Sequence, residues 1–457
     1  MDAAWTRLSG DLQGTLIVPE DAEYPAARTI WNGAHMRRPV AIARVAGAHD
    51  IAVVLAHARR QQLPVCVRGG GHSAAGNAMV DGALALDLSL LRTVTVDGAE
   101  RTAGVGGGAL WADVDRATAD LQLATPGGMI SHTGVGGLTL GGGIGWLMRK
   151  HGLTIDNLIA ADLVLADGRE VTASATGEHA ELFWGVRGGG GNFGVVTRFV
   201  FRLHPVSTVI AGMVMYPASR ARAIVRFFRE LTESAPDELT AMVDFLTAPP
   251  APFVPAHLHG EKMIAIAACW SGDVARGEAA LRPLRKFGPP AVDVIAEMPY
   301  VAWQSLLDPG APHGWHYYMK AAYFAELTDD MLDALVEHAT EPSSPLTHVH
   351  VHHLGGAVGR VAPAATAYSQ RGAAYLVNLV PAWHQAADSE QHIAWTRRLY
   401  DAIVGFSNGA VYANFVGEQR DARSQDVFGE NLSRLQRIKR AYDPDNVFRF
   451  NQNITPA

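Results

Sequence analysis

The chain of 457 residues has only two cysteines, Cys66 and Cys269, one in each half, so it carries no disulfide framework and a reducing compartment is its simpler setting. It also lacks a basic excess. Its 38 Lys and Arg against 45 Asp and Glu leave a formal net charge of -7, which argues against a surface for nucleic acid. The first residues, MDAAWTRLSG, lack the basic start and apolar run of an export signal, and the expected location is cytoplasmic. A long hydrophobic span is missing as well. The stretch from Leu121 to Met148 holds no Asp, Glu, Lys or Arg, but nine glycines break it, so it reads as buried loop and turn facing a ligand rather than a membrane helix.

What the chain does have is glycine, unevenly placed: 32 of 47 lie in residues 1–200. Runs recur at 69–71, 106–108, 141–143 and 188–191 without matching sequence between them, which points to several loops converging on one ligand rather than to a repeat. Short Val- and Leu-rich runs such as LPVCVR, ALALDLS, RTVTVDG and ADLVLADG read as strands, and AHDIAVVLAHARRQQ as an amphipathic helix. From about Val206 glycine thins out and longer helical patterns appear at SRARAIVRFFRELTESA and TDDMLDALVEHAT. At about 150 residues per unit the length allows two or three units, and the mixture predicts an α+β fold.

The segment VRGGGHSAAG, Val67 to Gly76, is the most specific signal. Three glycines let successive amides turn toward one point and form a nest for an anion such as a phosphate, and His72 is then held beside whatever binds. Together with GVGGLTLGGGIG at 134–145, HGLTIDNL at 151–158, LFWGVRGGGGNFGVVT at 182–197 and YDPDNVFRFNQNI at 442–454, it makes a set of five motifs in order along nearly the whole chain. In that set the sequence resembles the berberine-bridge-enzyme-like oxidases, FAD-linked flavoproteins with a PCMH (vanillyl-alcohol-oxidase) type of FAD domain.

The resemblance implies FAD attached covalently through His72, with Arg68, Gly69, Gly70, Gly71 and Ser73 in the same loop. It further places Gly134, Gly136, Gly137, Gly142 and Gly145 against the flavin and ribityl chain, Gly194 and Val195 at the adenine half, and Asn414 and Asn451 near the ring. Many relatives carry a second link through a cysteine four residues before the GVGG segment; here that position is Ile130, so a single link is expected. Thr133 falls where the family controls oxygen access, and its small size resembles the oxidases; a β-branched residue packing in a turn is the plainer reading of it.

On the substrate side, AYLVNLVPAW and VYANF resemble the strands that supply an acid or amide and a tyrosine to the pocket, here Asn378 and Tyr412. An amide cannot accept a proton, so Tyr412 is the candidate base, or else a buried tyrosine that holds the flavin by its hydroxyl. A neutral amine needs less base help than an alcohol, and Asn378 tilts the expectation toward an amine or an activated alcohol. The run THVHVHHLGGA puts His348, His350 and His352 on one strand face, as pocket lining or a polar face. Alternate positions on a straight strand lie about 7 Å apart, too far for three imidazoles to share an ion, so no metal is expected.

The expected organisation is an FAD domain over 1–205 completed by 408–457, with a substrate domain over 206–407 built on an antiparallel sheet backed by helices. The implied activity is that of an FAD-dependent oxidase that takes hydride from a carbon bearing an amine or hydroxyl and reduces O2 to H2O2. A dehydrogenase with another acceptor and a flavin-binding protein without turnover are the alternatives. Expected partners are a small-molecule substrate and O2, with no nucleic acid or membrane, in a monomer or homodimer.

Overall fold

The computed structural model describes residues 3–417 and 424–457. Three main sheets account for most of the strands. The first has four strands, with Ala41–Arg44 and Val65–Arg68 flanking Leu84–Asp87 in parallel and Thr15–Ile17 antiparallel at one edge. Leu84–Asp87 is buried at every position, as a central parallel strand must be when both faces are covered. The helix Ala48–Gln61 covers this sheet with Ile51, Val54, Leu55 and Ala58, the apolar positions that its sequence repeats.

The second sheet is antiparallel, in the order Val94–Asp97, Thr102–Gly106, Val195–Arg202, Leu158–Val164, Glu170–Ser174. The chain's last helix, Leu432–Tyr442, returns to this region and packs Leu435 and Ile438 with Phe183, Trp184 and Phe193. Lys439 on that helix is fully buried and donates to Asp443, to the Asn192 carbonyl and to the Phe448 carbonyl, which ties the end of the chain to the Gly188–Gly191 loop.

Sheet membership changes between Arg202 and Thr208. The third sheet has eight strands, all paired antiparallel, and its middle runs Lys262–Trp270, Leu239–Thr247, His348–His353, Tyr375–Val380. Alternation divides its faces. Ala241, Val243, Val349, Val351, Val377 and Leu379 pack into one core with the helices Ala221–Glu233, Asp329–Ala339 and Ser389–Val404. Asp244, His348, His350, His352 and Asn378 occupy the opposite face and line a cavity between this sheet and the glycine loops. The stretch from Leu121 to Met148 is not wholly loop: Val135–Leu140 forms a short helix, because Val135 and Thr139 are fully buried and their packing outweighs the low helix propensity of the two glycines between them.

Cys66 and Cys269 are both buried free thiols. Among the described residues no helix is long and apolar enough to cross a membrane.

Candidate active site

The strand Val65–Arg68 ends at the edge of the cavity, and the chain turns there through Gly69, Gly70 and Gly71, with Gly71 in the left-handed region at φ 70°. From Gly69 to Ser73 no backbone N–H finds an acceptor among the described residues. Amides in this state are costly in a folded chain unless something else receives them, and the cavity they line is where that acceptor would sit. Gly70 lies so close to Gly134 that a Cβ on it would stand 2.4 Å from the Gly134 Cα. The contact fixes the GGGH loop against the GVGG loop, and the first-turn amides of Gly136 and Gly137, which have no acceptor inside their helix, line the same wall.

His72 is half-buried at the centre of this wall. Its ring stacks on Trp31 at 4.2 Å, Trp31 stacks in turn on Tyr317 at 3.8 Å, and its Nε2 lies 3.2 Å from Nδ1 of His132. Burial, then the neighbouring imidazoles of His132 and His313, hold the His72 pKa well below its usual value, so its ring is neutral and keeps a lone pair. The loop that carries Ile130 and Thr133 is clamped by Asp308, which accepts from the Ser131 backbone at 2.7 Å and its hydroxyl at 2.5 Å. Both Ile130 and Thr133 face the cavity.

Of the residues singled out from the sequence, Gly69, Gly70, Gly71, His72, Ser73, Thr133, Gly134, Gly136, Gly137, Gly194, Val195, Asn378, Tyr412, Asn414 and Asn451 all line this one cavity. Three do not. Arg68 turns its guanidinium to the Ala27 carbonyl at 2.7 Å and lies 3.7 Å from Asp87, which hold it outside the cavity lining. Gly142 meets the Tyr368 ring, and Gly145 meets the Gly127 carbonyl, where a Cβ would stand 1.7 Å away. At both glycines close protein packing leaves no room for a side chain.

Tyr412 is fully enclosed, edge-on to Tyr323 and Tyr368. Its hydroxyl oxygen accepts from the Gly143 backbone N–H at 2.9 Å and from Asn414 Nδ2 at 3.0 Å. Burial pushes its pKa up to about 12 against the opposing pull of those donors. An oxygen that already receives two hydrogen bonds has its lone pairs engaged, so the Tyr412 hydroxyl has a proton to donate and little capacity to accept one.

The roof of the cavity is a polar row across three strands. Asp244, His350 and Asn378 are direct cross-strand partners, and His348 and His352 flank His350. His348 Nδ1 is 2.8 Å from Asp244 Oδ2, and His350 Nε2 is 3.5 Å from Asp244 Oδ1. Burial lowers the His350 pKa to about 4, whereas the Asp244 carboxylate outweighs burial at His348 and raises it. The Asn378 side-chain carbonyl and both His352 ring nitrogens are buried without a hydrogen-bond partner. The expectation of no metal rested on three imidazoles of one straight strand; here the ring centroids are 5.7 and 5.5 Å apart and a carboxylate joins them from the next strand, so its spacing premise is corrected. Asp244, His132, His313 and Trp31 escaped the sequence reading. The signal for Asp244 was a lone acid within AMVDFLT, an otherwise apolar strand.

An amide-lined glycine wall at one end, a neutral histidine midway and a polar sheet face opposite fit FAD, whose diphosphate needs donors and whose ring needs a flat slot. Residues 39–174 match the family profile described as FAD binding domain, and 411–455 the one described as Berberine and berberine like. The chain is 32% identical to (R)-6-hydroxynicotine oxidase of Paenarthrobacter nicotinovorans over 97% of both chains. It is 30% identical to an FAD-linked oxidoreductase of Dictyostelium discoideum over 93% of this chain and 91% of that protein. The crystal structure of 6-hydroxy-D-nicotine oxidase from Arthrobacter nicotinovorans superposes with a TM-score of 0.87 at 29% identity, covering 98% of each chain. The order of glycine loops, the sheet that roofs them and these likenesses agree: the chain belongs to the berberine-bridge-enzyme-like family of FAD-linked oxidoreductases.

Proposed function

We propose that the protein is an FAD-linked oxidase that removes two electrons and two protons from a CH–NH or CH–OH unit of a small metabolite and delivers them to O2 as H2O2. Bound FAD would supply the hydride acceptor and the route to oxygen. The observation that carries this reading is the single cavity that joins the free amides of Gly69 to Ser73, the His72 ring and the polar roof at Asn378.

In this reading His72 holds the cofactor covalently. Its neutral imidazole, stacked on Trp31, has the lone pair that such a bond uses, and Ile130 offers no second attachment. Thr133 on the opposite loop leaves space where oxygen would approach. Asn378 orients the substrate, while Tyr412 fixes the Gly143 turn and keeps its own proton. With Asn378 an amide and Tyr412 held protonated, neither residue is a ready base, which favours an amine. That a relative of similar length is a nicotine-derivative oxidase agrees with this.

The test has three parts. Acid-precipitated protein should stay yellow, with the flavin on the peptide that contains His72, and His72→Ala should release it. Anaerobic mixing with a panel of amines and alcohols should bleach the flavin, and readmitted O2 should restore the colour with one H2O2 per substrate. A flavin that washes out of the unaltered protein removes the covalent assignment. An oxygen electrode that stays flat while a dye is reduced replaces the oxidase with a dehydrogenase, and a flavin that no amine or alcohol bleaches favours a protein without turnover.

A further inference from the structure

The roof of the cavity carries more polar chemistry than hydride removal asks for. Asp244, His348, His350 and Asn378 come together from three neighbouring strands, with Asp244 and Asn378 on either side of His350 in register. One donor atom from each of Asp244, His348 and His350 can be chosen so that all three lie within 4.8 Å of one another. We propose that Asp244, His348 and His350 form a binding site for one divalent transition-metal cation of the zinc class, with the Asn378 carbonyl as the neighbouring oxygen and a coordination position open to the cavity.

The donor set is right for this class. Two imidazoles and one carboxylate suit zinc, cobalt and nickel, whereas calcium and magnesium prefer oxygen ligands throughout. The spacing is close to what such an ion needs. Bond lengths of about 2.0–2.2 Å place neighbouring donors roughly 3–3.5 Å apart, and the two carboxylate oxygens each face one imidazole, Oδ2 at 2.8 Å from His348 Nδ1 and Oδ1 at 3.5 Å from His350 Nε2. The three donors, within 4.8 Å of one another, have to draw together around the ion, a change within reach of side-chain rotation at the two half-buried rings and the carboxylate.

Independent evidence comes from atoms that have no partner. The Asn378 side chain is 2% exposed and its carbonyl oxygen accepts nothing, and Asp244 Oδ1 accepts no hydrogen bond either. Both face the same cavity. Buried acceptors left open on one face call for a donor or a cation. The face is also built for it: the alternate positions Val349 and Val351 anchor the strand in the helix-backed core, so the ligands project from a rigid sheet. A metal there would bind a hydroxyl or carboxylate oxygen of a ligand in the cavity and favour its deprotonated form, the help that Asn378 cannot give.

The test uses the flavin-loaded protein, freed of metal by dialysis against a chelator and titrated separately with Zn2+ by calorimetry and Co2+ by visible absorption. The expected result is one saturable equivalent in the unaltered protein. Asp244→Asn and His350→Gln should each weaken it by about 100-fold or more, since even changes to groups outside the ligand shell commonly cost 10–100-fold. His257→Gln, at an exposed turn, should bind as before. Flavin absorbance and circular dichroism like those of the unaltered protein show which variants are folded. Absence of saturable binding, or binding that survives in both Asp244→Asn and His350→Gln, overturns the site. Because the readout is metal binding and not turnover, it succeeds or fails independently of the oxidase reading.

Discussion

Lys439→Met tests how the end of the chain holds the cavity together. The ammonium is 0% exposed and makes three bonds, to Asp443 Oδ2 at 2.6 Å, to the Asn192 carbonyl at 2.8 Å and to the Phe448 carbonyl at 2.9 Å. Methionine fills a similar volume, so the loss is electrostatic rather than a cavity. Removing one partner of a buried pair costs about 3–5 kcal/mol. Asp443 keeps two backbone donors, Val447 at 2.8 Å and Phe448 at 2.9 Å, which soften the loss; the Phe448 carbonyl keeps Asn451 Nδ2 at 3.4 Å, while the Asn192 carbonyl loses its ammonium donor. The expected cost is therefore about 4 kcal/mol. Because Phe448, Phe450, Asn451 and Gln452 line the cavity, flavin retention should fall with stability. Guanidinium unfolding followed by tryptophan fluorescence would be measured for Lys439→Met, Asp443→Asn and the double variant. A loss under about 1 kcal/mol in Lys439→Met, or additive single effects, would show that the pair does not clip the segment.

Further outcomes follow from the same contacts. Burial raises the Asp115 pKa from 3.8 to about 7, so the folded state binds the extra proton between those values and its stability falls as pH rises through that window. Asp115→Asn should therefore gain on the unaltered protein between pH 4 and pH 8, by up to about 4 kcal/mol at roughly 1.4 kcal/mol per tenfold change in proton affinity; paired denaturation curves that keep a constant gap refute it. Gly70→Ala puts a Cβ 2.4 Å from the Gly134 Cα, and backbone cannot yield cheaply, so the loops should part and the flavin should be lost or loosely held; full flavin content in that variant would show that the contact is dispensable. Tyr412→Phe orphans the Gly143 amide and removes one of the two acceptors of Asn414 Nδ2, which keeps the Leu138 carbonyl, at about 1–3 kcal/mol of stability. With its pKa pushed up to about 12, the loss in flavin-reduction rate should not vary with pH from 6 to 9, and a loss that follows a group titrating near neutrality would restore Tyr412 as a base.

Local signals in the chain sufficed for much of the fold. The helix Ala48–Gln61 and the strand Leu84–Asp87 were legible because their apolar spacing is local and their burial follows from it. The glycine loop with His72 was legible for a similar reason: positive φ and closely spaced free amides are properties of a few adjacent residues. The partners of Arg68 were not legible, because motif position does not say that its guanidinium lies beside Asp87 and the Ala27 carbonyl. The pairing of Asp244 with His350 was out of reach, since the two are more than a hundred residues apart and only strand register joins them.

What the sequence determined by itself was the kind of backbone the ligand meets: glycine where side chains have no room, a histidine held in that wall, and the periodicities of helix and strand around it. Tertiary structure alone decided which side chains meet. It pressed Gly70 against Gly134, placed two donors on the Tyr412 oxygen and set a carboxylate between two histidines on the roof. The physical reason is that backbone conformation is set by near neighbours, whereas the protonation and free lone pairs of a side chain depend on the groups that packing brings beside it.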